Sequence, residues 1–194
     1  MTADRLAAQF AFLAEADRLK SVHRGTTLHD GSRRENSAEH SWHICLYALT
    51  LAEHSERPVD IGRVLRMLIL HDLVEIDAGD APIHGDHDPE EQSRIERAAA
   101  DRIFGLLPPD QAAEYRALWD EFEAAESDDA VFAKSVDRVQ PVVSNLHSGG
   151  ATWIEYGVTA EQLDTRVGAK VRRGAPRLWD HLSTRIAAWF APRG

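Results

Sequence analysis

A histidine and an aspartate, His71-Asp72, stand directly after the apolar run Met67-Leu68-Ile69-Leu70. A chain that carries such a pair deep in a helix must fold so that both groups are paired or bound. An imidazole and an ionised carboxylate are costly to bury alone. Glu75 lies one turn after His71, hence on the same helical face. Asp77 and Asp80 follow. Acidic side chains near a helix C-terminus meet the negative end of the helix dipole, at a cost of a few tenths to about 1 kcal/mol each. A bound cation would offset that cost.

The rest of the chain reads as helix. Leu6, Phe10, Leu13 and Leu19 fall near one face of a helix over 3–20,. Residues 21–35 read as a polar loop. Asn36 or Ser37 caps a second helix running to about His54, and Asn36 with Glu39 forms a capping-box pattern. Pro58 and Asp60 open a third helix that ends near Gly79. Asp88-Pro89 starts a fourth, and Pro108-Pro109-Asp110 separates it from a fifth over roughly 110–126. A sixth spans 129–147, bent at Pro141 and stopped by Gly149-Gly150,. Residues 148–158 read as a short loop or turn. Thr159 caps a further segment, and 175–190 close the chain. No segment alternates, so no strand is expected. The expectation is an all-α single domain over 1–194 with about seven helices, its motif region at about 10–160 and the helices of 160–190 packed on it.

Composition excludes some functions. The 194 residues suit one domain, and 43% hydrophobic residues can build one core,. The formal net charge of −10 argues against polymeric nucleic acid as a ligand, but leaves small phosphates possible in a local cationic pocket,. Cys45 is alone, so no intrachain disulfide can form,. The start, Met1-Thr2-Ala3-Asp4-Arg5, is charged at once,. No apolar run approaches the roughly 20 residues that span a bilayer. A cytoplasmic protein with no membrane partner is expected.

His40 lies in the second helix, within Glu35-Asn36-Ser37-Ala38-Glu39-His40-Ser41, and Asp137 in the sixth, within Lys134-Ser135-Val136-Asp137-Arg138. The order His40, His71-Asp72, Asp137 resembles the H…HD…D signature of HD-domain metal-dependent phosphohydrolases. So do the flanking strings, down to His71-Asp72-Leu73-Val74-Glu75 and Gly79-Asp80. The chain resembles the branch that holds the 5′-deoxynucleotidases and neighbouring predicted HD hydrolases.

The resemblance implies metal ligands at His40, His71, Asp72 and Asp137. Two imidazoles and two carboxylates suit Mn²⁺, Co²⁺, Fe²⁺, Zn²⁺ or Mg²⁺. With no histidine between His87 and His147, one metal ion is expected. His43, three residues after His40, is its rival and reads better as a core or supporting histidine. The resemblance also implies Glu75 as the acid/base that handles the attacking water, Asp80 beside it, and Arg24 as the holder of the substrate phosphate. Asp77 reads as structural. In the deoxynucleotidases a tryptophan follows that arginine; here the residue is Gly25. The expected activity is hydrolysis of nucleoside 5′-monophosphates. Another small phosphoester, a cyclic or pyrophosphorylated nucleotide, and a non-catalytic nucleotide sensor are the other readings. The apolar terminal helices, and the habit of the family's nucleotidases, imply a homodimer.

Overall fold

A computed structural model describes residues 2–191. The first helix, α1 (Thr2–Ala16), runs into a 3₁₀ turn, Asp17–Ser21. There the chain departs from expectation. Residues 21–35 are not simply a polar loop, because β1 (His23–Thr27) pairs antiparallel with β2 (Arg34–Asn36), with His23 opposite Asn36 and Thr27 opposite Arg34. With two short strands and an irregular register between those pairs, the hairpin has no room for a sustained alternation,. The Asn36 side chain accepts from Glu39 N and the Glu39 carboxylate accepts from Asn36 N, so the capping box starts α2 (Ser37–Leu51) directly off β2.

Asp60 caps α3 (Ile61–Leu70) by accepting from the Gly62 and Arg63 N–H groups. The chain then tightens into a 3₁₀ turn, His71–Val74, and relaxes into α4 (Glu75–Ala78), which stops at Gly79 with φ of +73°. Only glycine takes that conformation at no steric cost. Next come α5 (Pro89–Phe104), α6 (Pro109–Ala124) and α7 (Asp128–His147), each opened by an aspartate, serine or proline signal. Residues 148–158 hold more than a turn, since α8 (Ala151–Glu155) forms there. Gly150 at φ +86° lets the chain reverse after α7. The segment capped by Thr159 begins as α9 (Ala160–Leu163), widens into a π turn over Asp164–Gly168, and continues as α10 (Ala169–Gly174). The last helix is α11 (Pro176–Phe190).

The architecture is helical, as expected, with the hairpin as its β component. Helix α7 is the centre, packed by α2, α3, α6 and α10. Ile44, Val64, Met67, Leu68, Phe122, Phe132 and Val136 meet there with almost no exposure. Gly174 lets α10 seat on α7, since a Cβ there would lie 2.6 Å from Ser135 Oγ and from the Val131 carbonyl oxygen. Gly174→Ala is therefore expected to cost about 1 to 3 kcal/mol by overpacking. The check is a lower urea midpoint with unchanged slope. An unchanged midpoint would mean that α10 does not seat so closely.

Some large apolar side chains of α1 and α2 do not go inward. Leu6, Phe10 and Leu13 of α1 are each more than half exposed, as are Trp42 and Leu49 of α2. Phe12, not that stripe, is the residue of α1 in the core. No described helix is long and apolar enough to cross a membrane.

Candidate metal centre and active-site pocket

His40 and His71 converge from α2 and from the end of α3, and each has one ring nitrogen already engaged. His40 Nδ1 is 3.0 Å from Gln140 Oε1, and His71 Nδ1 is 2.7 Å from the Leu68 carbonyl oxygen. Both partners are acceptors, so Nδ1 carries the proton and Nε2 presents its lone pair. The two Nε2 atoms face carboxylates. His40 Nε2 is 3.0 Å from Asp137 Oδ1; His71 Nε2 is 2.8 Å from Asp72 Oδ1 and 3.8 Å from Asp137 Oδ1. His71 Nε2 is buried and makes no hydrogen bond. Lone pairs aimed at carboxylate oxygens repel unless a proton or a metal cation lies between them. His40, His71 and Asp72 each offer a ligand atom, all within 4.8 Å of one another, so the trio could hold a metal ion. Asp137 lies outside that mutual set but contacts both imidazoles.

The electrostatics fit the same arrangement. Burial and Arg24 disfavour a charged His40, but the Asp137 and Glu35 carboxylates outweigh them and raise its pKa to about 9. The same carboxylates that favour a charged His40 would favour a cation between it and Asp137. Burial also opposes ionisation of Asp72 and Asp137. His71 and Arg24 at the first, and His40 and Arg138 at the second, still hold both carboxyls below the usual range. The backbone supports this geometry. Trp119 Nε1 donates to the His71 carbonyl at 3.2 Å. Pro141 lacks an N–H, so the Asp137 carbonyl has no helical donor four residues on,.

Arg24, on β1, projects into the acidic nest. Its Nη1 lies 2.8 Å from Asp72 Oδ2, 3.5 Å from Glu75 Oε1 and 3.7 Å from Asp80 Oδ1. Glu75 Oε2 accepts from Ser37 Oγ at 2.5 Å. Burial, then the Asp72 charge, push the Glu75 carboxyl well above its ordinary pKa. Asp80 Oδ2 accepts from Gly25 N at 2.9 Å, tying α4's exit to the hairpin. Arg24, Gly25, Asp72, Glu75 and Asp80 border a cavity of about 410 Å³, with Pro82, Trp153 and Tyr156 along its walls.

Other residues singled out in the sequence fall elsewhere. His43 is half-buried and reaches Gln140 Nε2 only at 3.4 Å. Asp77 pairs with Arg102 away from the cavity. Arg33 and Arg34 pair with Glu39 and Glu155 near the surface. Sequence reasoning missed Glu35 and Gln140. Glu35 is almost fully buried, accepts from Gln140 Nε2 at 2.8 Å and lies 3.6 Å from His40 Nδ1. Gln140, one turn after Asp137 on α7, was detectable by that spacing.

The pattern of the HD domain family matches residues 16–179. The chain belongs to the HD domain family. A crystal structure titled a predicted metal-dependent phosphohydrolase, from Magnetospirillum magnetotacticum, superposes with a TM-score of 0.92 at 48% identity, covering 99% of this chain and 98% of that one. The 5′-deoxynucleotidase HDDC2 of Homo sapiens is 29% identical over 133 residues, 68% of this chain and 64% of that protein. The match thus spans under two thirds of the human relative. The 5′-deoxynucleotidase yfbR of Photorhabdus temperata is 25% identical over 167 residues, 82% of this chain and 84% of that one. In this HD domain the histidine of α2, the His-Asp pair at the end of α3 and the aspartate of α7 face one another across the core, which is why residues 97 positions apart in sequence touch.

Proposed function

We propose that this chain is a metal-dependent phosphohydrolase acting on nucleoside 5′-monophosphates, releasing nucleoside and phosphate. The observation that carries the reading is the convergence of the His40 and His71 Nε2 atoms on Asp137 and Asp72, with Glu75 and Arg24 beside them. His40, His71, Asp72 and Asp137 would hold one divalent ion. Bound there, it supplies Lewis acidity toward water and a phosphoryl oxygen. Glu75 takes the proton of the attacking water at a carboxylate oxygen; its raised pKa suits it to that task,. Ser37 fixes the direction of that carboxylate. Arg24 offers a guanidinium to the phosphate, and Asp80 orients the Gly25 backbone beneath it.

Gly25 bears on the sugar. A side chain at that position would meet Pro82 Cγ at 3.4 Å and Tyr156 Oη at 3.5 Å. The indole of the deoxynucleotidases is absent, and the Tyr156 hydroxyl stands next to the position. Loss of one steric wall changes a preference by about 1 to 3 kcal/mol, roughly ten- to two-hundredfold. The enzyme is therefore expected to hydrolyse both deoxy- and ribonucleotides with weaker discrimination against ribose. Phosphate release from a panel of phosphomonoesters with Mn²⁺, Co²⁺ and Mg²⁺ tests the function. A kcat/KM ratio for dAMP over AMP above roughly a thousand would require selectivity from other groups. Activity confined to non-nucleotide phosphoesters would overturn the nucleotide reading.

The exposed stripe of α1, with Trp42 and Leu49 of α2, supports a homodimer burying those faces. Light scattering at micromolar concentration should give twice the chain mass of 21.6 kDa; a monomer would refute this.

A further inference from the structure

The pocket holds positive charge that the proposed reaction leaves unused. Lys134 and Arg138 lie one turn apart on α7, and Lys170 comes from α10, which packs along α7. All three line the cavity. A solvated helix face is the ordinary fate of such cations, but the Lys134 and Arg138 side chains are only 17% and 24% exposed, and the exposed Lys170 stands at the cavity's rim beside them.

These groups crowd one another. Arg138, then burial, then Lys134 depress the Lys170 pKa. Across the cavity, burial with Arg166 and Arg138 pushes His84 down to about 4. The carboxylates on this wall sit at the Lys134 end, where Glu96 also lines the cavity. Glu123 pairs with Lys134 at 2.8 Å. The carboxylate nearest Arg138 is Asp137, whose Oδ2 lies 3.7 Å from Nε, beyond hydrogen-bond reach, while its Oδ1 faces the imidazoles. Arg138 Nε and His84 Nδ1 are buried and make no hydrogen bond. Arg24 differs: Asp72, Glu75 and Asp80 surround it. The pocket therefore has two cationic poles, one neutralised within the acidic nest and one on the α7–α10 wall only partly neutralised. On that wall Glu123 answers Lys134, Asp137 stands off from Arg138, and Lys170 has no ion pair among the described residues. In a chain of net charge −10, such a local pole selects for an anionic ligand group.

We propose that Lys134, Arg138 and Lys170 form a second anion subsite, which takes a second phosphate of the nucleotide while the scissile phosphate lies at the metal ligands. The substrate class is a nucleotide with two phosphates, the second on the 3′ oxygen or as a β-phosphate. This inference rests on the phosphohydrolase reading for its kinetic arm, but not for its binding arm. In the binding arm, inorganic phosphate is titrated calorimetrically into the full Mn²⁺-loaded chain. Two phosphates should bind per chain, and one in Arg138→Gln or Lys170→Gln. A single phosphate in the unsubstituted protein, or two in both variants, overturns the subsite. In the kinetic arm, kcat/KM is compared for adenosine 5′-monophosphate, adenosine 3′,5′-bisphosphate and adenosine diphosphate. One of the two doubly phosphorylated compounds should exceed the monophosphate by about tenfold or more, since hydrogen bonds to charged groups contribute on that scale, and which one identifies where the second phosphate sits. The ratio should fall toward one in both variants. Equal losses on all three substrates would mean that the cluster holds the scissile phosphate, and would refute the proposal. If no nucleotide is hydrolysed but two phosphates still bind, the nucleotidase reading fails and the subsite stands.

Discussion

Asp72→Ala is expected to remove both bound metal and all turnover. Asp72 Oδ1 lies 2.8 Å from His71 Nε2, and Oδ2 lies 2.8 Å from Arg24. Its loss takes away one of the proposed ligands and the closest anchor of the arginine. What remains for a cation is His40, His71 and Asp137, with a buried guanidinium nearby that no longer has its nearest counter-charge. Arg24 keeps Glu75 and Asp80 within ion-pair distance, so the fold should survive, although breaking a buried pair is costly. Asp72→Asn keeps the shape and removes only the charge, which guards against simple unfolding. Metal content by mass spectrometry, circular dichroism and phosphate release are measured on both variants. One ion per chain at unchanged affinity would sink the ligand assignment.

The proposed ligands were legible through the H…HD…D order and its flanking strings. Of the four, His71, Asp72 and Asp137 also stand out as polar side chains in apolar runs, whereas His40 lies between Glu39 and Ser41. Asp137 follows Val136, with Val139 two residues on; His71 follows Leu70. The helix ends carried explicit signals too: Asn36 with Glu39, Asp60, Asp88-Pro89, and Thr159 with Gln162 all cap as their residue types predict. The groups around the proposed ligands were harder to find. Glu35 stands beside the capping residue and looks like any loop glutamate, yet β2 pairing carries it into the core, where it meets Gln140 and His40. That contact joins residues 105 apart, and no local pattern encodes it. The hairpin escaped notice because its strands are short and its register irregular, so local period carries no signal. On α1 the sequence pattern stops short in a different way. Leu6, Phe10 and Leu13 have the spacing of a core stripe, but period identifies an apolar face without saying what covers it.

Glu75→Gln should separate the chemistry from the metal. Glutamine is nearly isosteric, and its side-chain oxygen can still accept the Ser37 hydroxyl that now donates to Glu75 Oε2. The imidazoles and both aspartates are untouched, so metal content should stay at one ion per chain. What disappears is a basic oxygen able to take a proton from water. Loss of a general base is worth about two to four orders of magnitude in rate. The loss should fall on kcat, with KM little changed, because Glu75 is not proposed to bind the phosphate. The pH profile adds an independent readout. Burial and Asp72 raise the Glu75 pKa, so ionisation of this base should govern the acid limb of kcat/KM, activity falling as pH drops through it. That limb should vanish in the variant, which has no proton to gain there. A merely structural glutamate would not produce that change. If Glu75→Gln turns over normally with its acid limb intact, the proton goes to another group, and Glu75 has no part in the mechanism.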